Sequence, residues 1–282
     1  MVELILAALL LGSPLSARDT LFQLREGDRL VLEDFSGSVD VGVWGREALE
    51  AVSDSDEATE FEFHRSGSRV EMRVLDRKSR NRTGELRLRV PEWLSLEFSG
   101  RKLDAEIRGV AGSVKIRNLQ GDLLLEDLAG EVDVVSVEGE ITARGLGGLA
   151  HLRTGDEGLT VMDSSGELVL QTVSGDMELT DLTSRGISAR TTSGDIDFSG
   201  QLQQGGRFSF QSHSGDLTLE LREPIDLDVT VLAYEGEFES DFPVRTRGFR
   251  SGQEMAFIIG AGGGRLILEA FDGEIRLRRS GF

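Results

Sequence analysis

The 282 residues contain no cysteine, four prolines, one tyrosine, two tryptophans and three histidines. Without cysteine there is no disulfide framework, no thiolate metal site and no lipid attachment through a thiol. Scarce proline suits a chain whose strands keep their ladder donors. Basic residues are few as well: 31 Lys and Arg against 50 Asp and Glu leave a net charge of −19. That balance argues against nucleic acid or an anionic membrane as a partner held by a broad basic face. Its plainest role is an acidic coat that keeps an all-β surface soluble and its edges apart. Catalytic signatures are missing too: there is no Gly-x-Ser-x-Gly elbow and no His-Glu-x-x-His, and the Gly-rich segment 260–264 lacks the Lys-Ser/Thr of a phosphate loop.

Long apolar runs are also lacking. Leu4 to Leu11 is too short to span a bilayer as a stable anchor, and Gly12-Ser-Pro-Leu-Ser-Ala17 ends on a small residue ahead of Arg18-Asp19. This reads as a signal peptide over 1–17, cut after Ala17, although Met1-Val-Glu3 brings no basic residue. A buried strand or short core helix is the alternative. The expected product is exported to the periplasm, the cell surface or the medium, with no transmembrane span in the mature chain.

What the chain has in abundance is glycine, 35 residues, and it is placed periodically. Gln171-Thr-Val-Ser-Gly-Asp-Met-Glu-Leu179, Arg190-Thr-Thr-Ser-Gly-Asp-Ile-Asp-Phe198 and Gln211-Ser-His-Ser-Gly-Asp-Leu-Thr-Leu219 superimpose. Each is a Gly-Asp corner followed by apolar, polar, apolar, which is a short strand with one face inward. Upstream the spacing is nine, through Gly112, Gly121, Gly130, Gly139 and Gly148. Taken alternately, Gly121, Gly139, roughly Gly158, Gly175, Gly194, Gly215 and Gly236 form one series; Gly112, Gly130, Gly148, Gly166, Gly186 and Gly206 form the other. Two strands per repeat follow, and a repeat of this size predicts an all-β fold, a single-chain β-solenoid with coils of about 18–21 residues. Its core is predicted from Val114, Ile116, Leu123, Leu125, Val132, Val134, Ile141, Leu168, Leu170, Met177, Leu179, Ile196, Phe198, Leu217 and Leu219. The nonapeptide calcium roll is excluded, because its Gly-Gly-x-Gly-x-Asp pattern is missing.

In order, the mature solenoid, 18–282, divides into less regular coils over 18–100, regular repeats over 101–222 and irregular closing coils over 223–282. Phe61 to Arg65 and Ser68 to Val74 alternate as paired strands, and the basic run Arg77 to Arg82 reads as a solvated hairpin tip. Ala256 to Leu268 and Gly273-Glu-Ile-Arg-Leu277 bring the repeat back near the end.

Four features in this order resemble the DUF4097 family of exported bacterial proteins, also known as candidate adhesins. They are Val31-Leu-Glu-Asp-Phe-Ser-Gly-Ser-Val-Asp-Val with Trp44 after it, Leu88-Arg-Val-Pro91, the iterated Ser-Gly-Asp corner, and the Gly-rich Ile259 to Gly264 followed by Leu266-Ile-Leu and Gly273 to Leu277. The resemblance implies a right-handed, β-helix-like solenoid outside the cytoplasm. It brings no catalytic residues to carry over.

The sharpest candidate constellation is a ladder of Asp176, Asp195 and Asp216, extended by Glu140 and Glu237, one acid per coil. Stacked carboxylates repel unless hydrated or bridged, so a cation or sugar hydroxyls could line this edge. The bland expectation is that each Asp accepts backbone amides at its own turn. An outward column of Glu178, Asp197 and Thr218 is the place for a β-helix hydrolase or lyase site, though alternation alone makes such columns. His64, His151 and His213 are scattered, and His213 stands where Val173 and Thr192 stand in earlier repeats, which makes it an outward residue. No catalytic, cofactor or metal residue is assigned and no cofactor is expected. The function expected is a non-enzymatic binding or structural module of the cell envelope, its partner an envelope protein or a glycan. A carbohydrate-active enzyme and an envelope signalling partner are the alternatives.

Overall fold

The computed structural model describes residues 19–53, 59–76, 83–243 and 253–280. The expected signal peptide and the tip at Arg77 to Arg82 lie outside them. The N-terminal end is built of β1 (Asp19–Gln23), β2 (Arg29–Trp44), β3 (Ala48–Ser53), β4 (Thr59–Ser66), β5 (Arg69–Asp76) and β6 (Thr83–Pro91). The regular array is β7 (Ser95–Arg108), β8 (Val114–Gln120), β9 (Leu123–Glu126), β10 (Val132–Glu138), β11 (Ile141–Arg144), β12 (Ala150–Arg153), β13 (Leu159–Met162), β14 (Leu168–Gln171), β15 (Met177–Ser193), β16 (Ile196–Ser214) and β17 (Leu217–Leu221). It closes with β18 (Leu227–Ala233), β19 (Phe238–Ser240), β20 (Gln253–Ile259), β21 (Gly264–Asp272) and β22 (Ile275–Arg279). No helix occurs among the described residues.

The array is a two-faced β-solenoid. On one face Val114, Val132, Ala150, Leu168, Ile187 and Phe208 stand in parallel register; on the other, Leu123, Ile141, Leu159, Met177, Ile196 and Leu217 do. The inner sides meet in one apolar core, and every inward residue predicted from Val114 to Leu219 is buried. No single coil could bury that face alone, so stacking supplies the stability. At one corner the column turns polar but stays buried: Asn118, Ser136, Thr154, Thr172, Thr191 and Ser212. The Thr154, Thr172 and Ser212 hydroxyls donate to the carbonyls of Gly139 (3.1 Å), Gly175 (2.8 Å) and Gly194 (3.0 Å), which the turn takes out of the ladder.

The Gly-acid corners depend on close backbone contact. Gly194 and Gly215 have φ of +154° and +152°, and a Cβ on either would lie within 3.0 Å of the carbonyl of the coil below. The coil at 157–158 departs by one step, because Glu157 takes the glycine's place beneath Gly175 and Gly158 takes the acid's. A second corner was not foreseen: Gly109, Asp127, Gly145, Asp163 and Asp181 occupy one left-handed step on successive coils, with φ between +48° and +74°. Glycine and aspartate are the residues that tolerate this conformation.

Both ends stack out of sequence order. β2 lies between β7 on one side and β5 and β6 on the other, with β4 antiparallel to β5 and β3 antiparallel to β6. At the far end β21 and β22 pass between β16–β17 and the outermost β18–β19, and β20 runs antiparallel to β18. This corrects two expectations. Gly236 stacks on Gly273 and not on Gly215, and Ala256 to Leu268 is two strands joined by a glycine turn. The physical reason is the open edge of a terminal parallel strand, which an antiparallel neighbour covers.

Candidate binding corner

The acidic ladder is real, but its bonding is not the one expected. Asp104 Oδ1 accepts the amide of Asp122, Asp122 that of Glu140, Asp176 that of Asp195 (2.8 Å), Asp195 that of Asp216 (2.7 Å) and Asp216 that of Glu274 (2.8 Å). Each carboxylate therefore bonds to the neighbouring coil and not to its own turn. Asp122, Asp176, Asp195 and Asp216 each follow a corner glycine, which carries the acid over the next amide, while Asp104 reaches the same place after Leu103. Arg276 closes the run on Asp216 Oδ2 at 2.8 Å. Glu237 contributes its backbone carbonyl to Ile275. One oxygen of each Asp is thus committed to holding the coils together, which makes the ladder a structural device.

The outward column beside it holds Glu178, Asp197 and Thr218 side by side. Burial pushes the Asp197 carboxyl above its usual range, and the charges of Asp195, Asp176 and Glu178 push it further, against a hydrogen bond from Thr218. A folded-state pKa above the unfolded value means the folded chain binds the proton more tightly, so stability falls as pH rises through that pKa. Asp197→Asn is therefore expected to raise stability at pH 7 by under about 1 kcal/mol after solvent screening. The gain closes in melts taken well below the ordinary Asp pKa; a variant less stable than the parent at pH 7 would refute this sign. On the opposite face burial raises Asp133 too, but Arg117's hydrogen bond and charge, with Lys115 and His151, outweigh it and hold the carboxyl low.

The histidines do not converge. His64 is exposed opposite Glu71, and His151 stands beside Asp133 on the first face. His213 is outward, as expected, and its column proves to be the notable one. Stack order places Phe271 on His213 and Tyr234 on Phe271, since Ser212 pairs with Ala270 and Ala270 with Ala233. The His213 and Phe271 rings stack at 4.8 Å with planes 20° apart, and Tyr234 and Phe271 are 5.5 Å apart at 32°. Ring carbons in full contact sit about 3.5–4 Å apart, so this is a slipped stack that leaves part of each face open. Phe271 is 42% exposed and Tyr234 39%.

Alongside runs a polar row. Arg190 Nε donates to Gln211 Oε1 at 2.7 Å, and Gln211 Nε2 donates to Glu269 Oε2 at 3.0 Å. With Thr192 these side chains line a cleft of about 470 Å³. An apolar platform bordered by a few oriented polar groups is the composition of small-ligand sites. Sequence reasoning reached His213 and its column but missed Phe271, Tyr234, Arg190, Gln211 and Glu269 as its companions. The alternation signal marked them as outward; Arg190 and Gln211 reach His213 through the regular repeat, whereas only the inverted stacking of the closing coils brings Phe271, Tyr234 and Glu269 to it. The Gly-rich turn at 260–263 is no anion site, because Asp226 and Asp228 already accept its amides from Ala261 and Gly263.

Fold and corner define a parallel β-solenoid with an exposed, aromatic and polar lateral cleft. Residues 150–278 match the model of the Toastrack DUF4097 family. The cleft residues lie within that span. The chain is similar to a candidate cell adhesion protein from Clostridium sporogenes, at 13% identity over 95% of this chain and 100% of the other, with a TM-score of 0.25. It is similar to a candidate adhesin from Bacteroides fragilis, at 10% identity over 92% and 95%, TM-score 0.42. A candidate lipid-binding protein from Parabacteroides distasonis is similar at 8% identity over 92% and 96%, TM-score 0.39. No curated protein matches the chain.

Proposed function

We propose that this chain is an exported, non-enzymatic binding module of the cell envelope that holds a glycan at the lateral cleft. The observation that carries this is the gathering of His213, Phe271 and Tyr234 from three sequence-distant segments into one exposed stack beside Arg190, Gln211 and Glu269. Sugar rings present weakly positive C–H faces that suit aromatic π density, and their hydroxyls need planar partners that both donate and accept. Among the described residues lining the cleft, Glu269 is the sole carboxylate, and Gln211 already holds it. Glycoside hydrolysis generally uses a carboxylate pair, which favours binding over turnover.

The test is retention of the mature chain on a panel of immobilised envelope glycans, with reducing ends assayed in parallel. Phe271→Ala is expected to weaken retention about tenfold, or about 1.4 kcal/mol, without lowering the melting temperature materially. Retention unaffected by that variant would remove the cleft from the account, and release of reducing ends would make the protein an enzyme.

A further inference from the structure

We infer that the cleft selects an acidic sugar, with its ring on the aromatic stack and its carboxylate on the open edge of Arg190. This rests on the glycan reading of the cleft and extends it to the class of sugar. Among the described residues lining the cleft, Arg190 is the one guanidinium and Glu269 the one carboxylate, and Gln211 stands between them in register. The Gln211 carbonyl accepts from Arg190 Nε and its amide nitrogen donates to Glu269, so the two charges never meet.

The surroundings of Arg190 hold no acid. Its in-register neighbours are Gln171 and Gln211, its outward neighbours along the strand are Ser188 and Thr192, and every diagonal place is free of carboxylates as well. Elsewhere this acid-rich chain meets its arginines: Arg117 on the same face, and Arg108, Arg144 and Arg276 on the other, each hold a carboxylate. Arg190 is exposed, makes no ion pair among the described residues and gives only Nε to the protein, so Nη1 and Nη2 stay open.

That open edge decides the chemistry. Two parallel N–H groups of a guanidinium match the two oxygens of a carboxylate, a charge-assisted pair that a hydroxyl does not equal. His213 stands one coil and two residues from Arg190, about 8 Å between backbones, so a ring seated on His213 and Phe271 presents a carboxylate within reach of the arginine side chain. Glu269 keeps Oε1 to accept a hydroxyl at the far end, two strand spacings from Arg190, and this sets the direction of the ring. The net charge of −19 opposes an anion at long range, and Asp272 and Glu235 stand beyond the stack, on the border away from Arg190. The acid is therefore held by contact and not drawn in by the field.

The test is calorimetric titration of the mature chain with methyl glycosides in matched pairs: glucose and glucuronic acid, galactose and galacturonic acid, N-acetylglucosamine and N-acetylmuramic acid. At least one acid should bind about tenfold tighter than its neutral partner. Arg190→Gln should bring that acid down to the neutral sugar's affinity while leaving the neutral sugar within about twofold, which also shows that the variant is folded. Arg190→Lys keeps the charge without the fork and should restore part of the difference. Neutral sugars that bind as tightly as the acids in every pair, or an acid preference that survives Arg190→Gln, overturn the inference; weakening of the same sugars by Phe271→Ala leaves the cleft reading standing. If the single rings are silent, the glycan retained through Phe271 on the envelope panel decides. One that carries carboxylates and is released by Arg190→Gln supports the inference, whereas an uncharged one, or an acidic one indifferent to that variant, overturns it. Silence of these sugars together with the whole panel removes both readings.

Discussion

Ile196→Asp is expected to unfold the middle of the solenoid. Ile196 is 0% exposed and stands between Met177 and Leu217 on neighbouring coils. A carboxylate there has apolar side chains above and below and no cation within the core. Such a change costs more than about 4 kcal/mol, through desolvation of the charge and the lost packing of the isoleucine. Because each coil contacts only its neighbours, the damage should spread to adjacent repeats before it reaches the ends. Urea unfolding followed by circular dichroism should show a lowered or split transition. A curve superimposable on the parent's would contradict the inward register. The adjacent Asp197→Asn serves as the control, since it faces out and should move stability the other way.

Arg65→Ala should loosen the N-terminal end while sparing the centre. Asp28 is 4% exposed and accepts from Arg65 at 2.8 Å and from the Arg25 amide at 2.7 Å. Arg65 also donates to the Gln23 carbonyl at 2.7 Å and lies 5.2 Å from the centre of the Phe22 ring, which stacks on Phe63 at 4.9 Å. One guanidinium thus ties β1, the turn after it and β4 together. Without it a buried carboxylate keeps a single amide partner, at a cost of about 3 kcal/mol. Arg65→Lys keeps the charge and loses the fork, so it should recover part of that. Hydrogen exchange should quicken in β1, β3 and β4 and stay slow in β10 to β14. Unchanged exchange in β1 would show that the tie carries no stability.

The regular array was legible because its sequence obeys two periods at once, two within the strand and about eighteen between coils. Val114, Ile141, Met177 and Leu219 could be placed in the core before any coordinate, and the glycine series marked the corners. The ends were not legible. Gly236 continues the spacing of Gly215, yet Gly273 stands between them, because the last coil in sequence is inserted one place from the end of the stack. Spacing records order along the chain, whereas insertion is decided by how the terminal edge is covered. The same fact hid the cleft: His213 could be placed in an outward column, but its aromatic partners arrive through β18 and β21. The acidic ladder shows a different limit. Its periodicity identified Asp176, Asp195 and Asp216, and the direction of their bonds, to the next coil, depends on a backbone offset that spacing does not encode.

Tyr234 is the sole tyrosine of the chain, so incorporating 3-fluorotyrosine places a single fluorine signal in the cleft. Titrating that protein with the glycan retained best on the panel tests the binding corner directly. The account predicts that the one resonance shifts or broadens in proportion to occupancy, and that in Phe271→Ala the same change needs about ten times the ligand concentration. A ligand that binds at full stoichiometry while the resonance stays where it was would place recognition elsewhere on the solenoid.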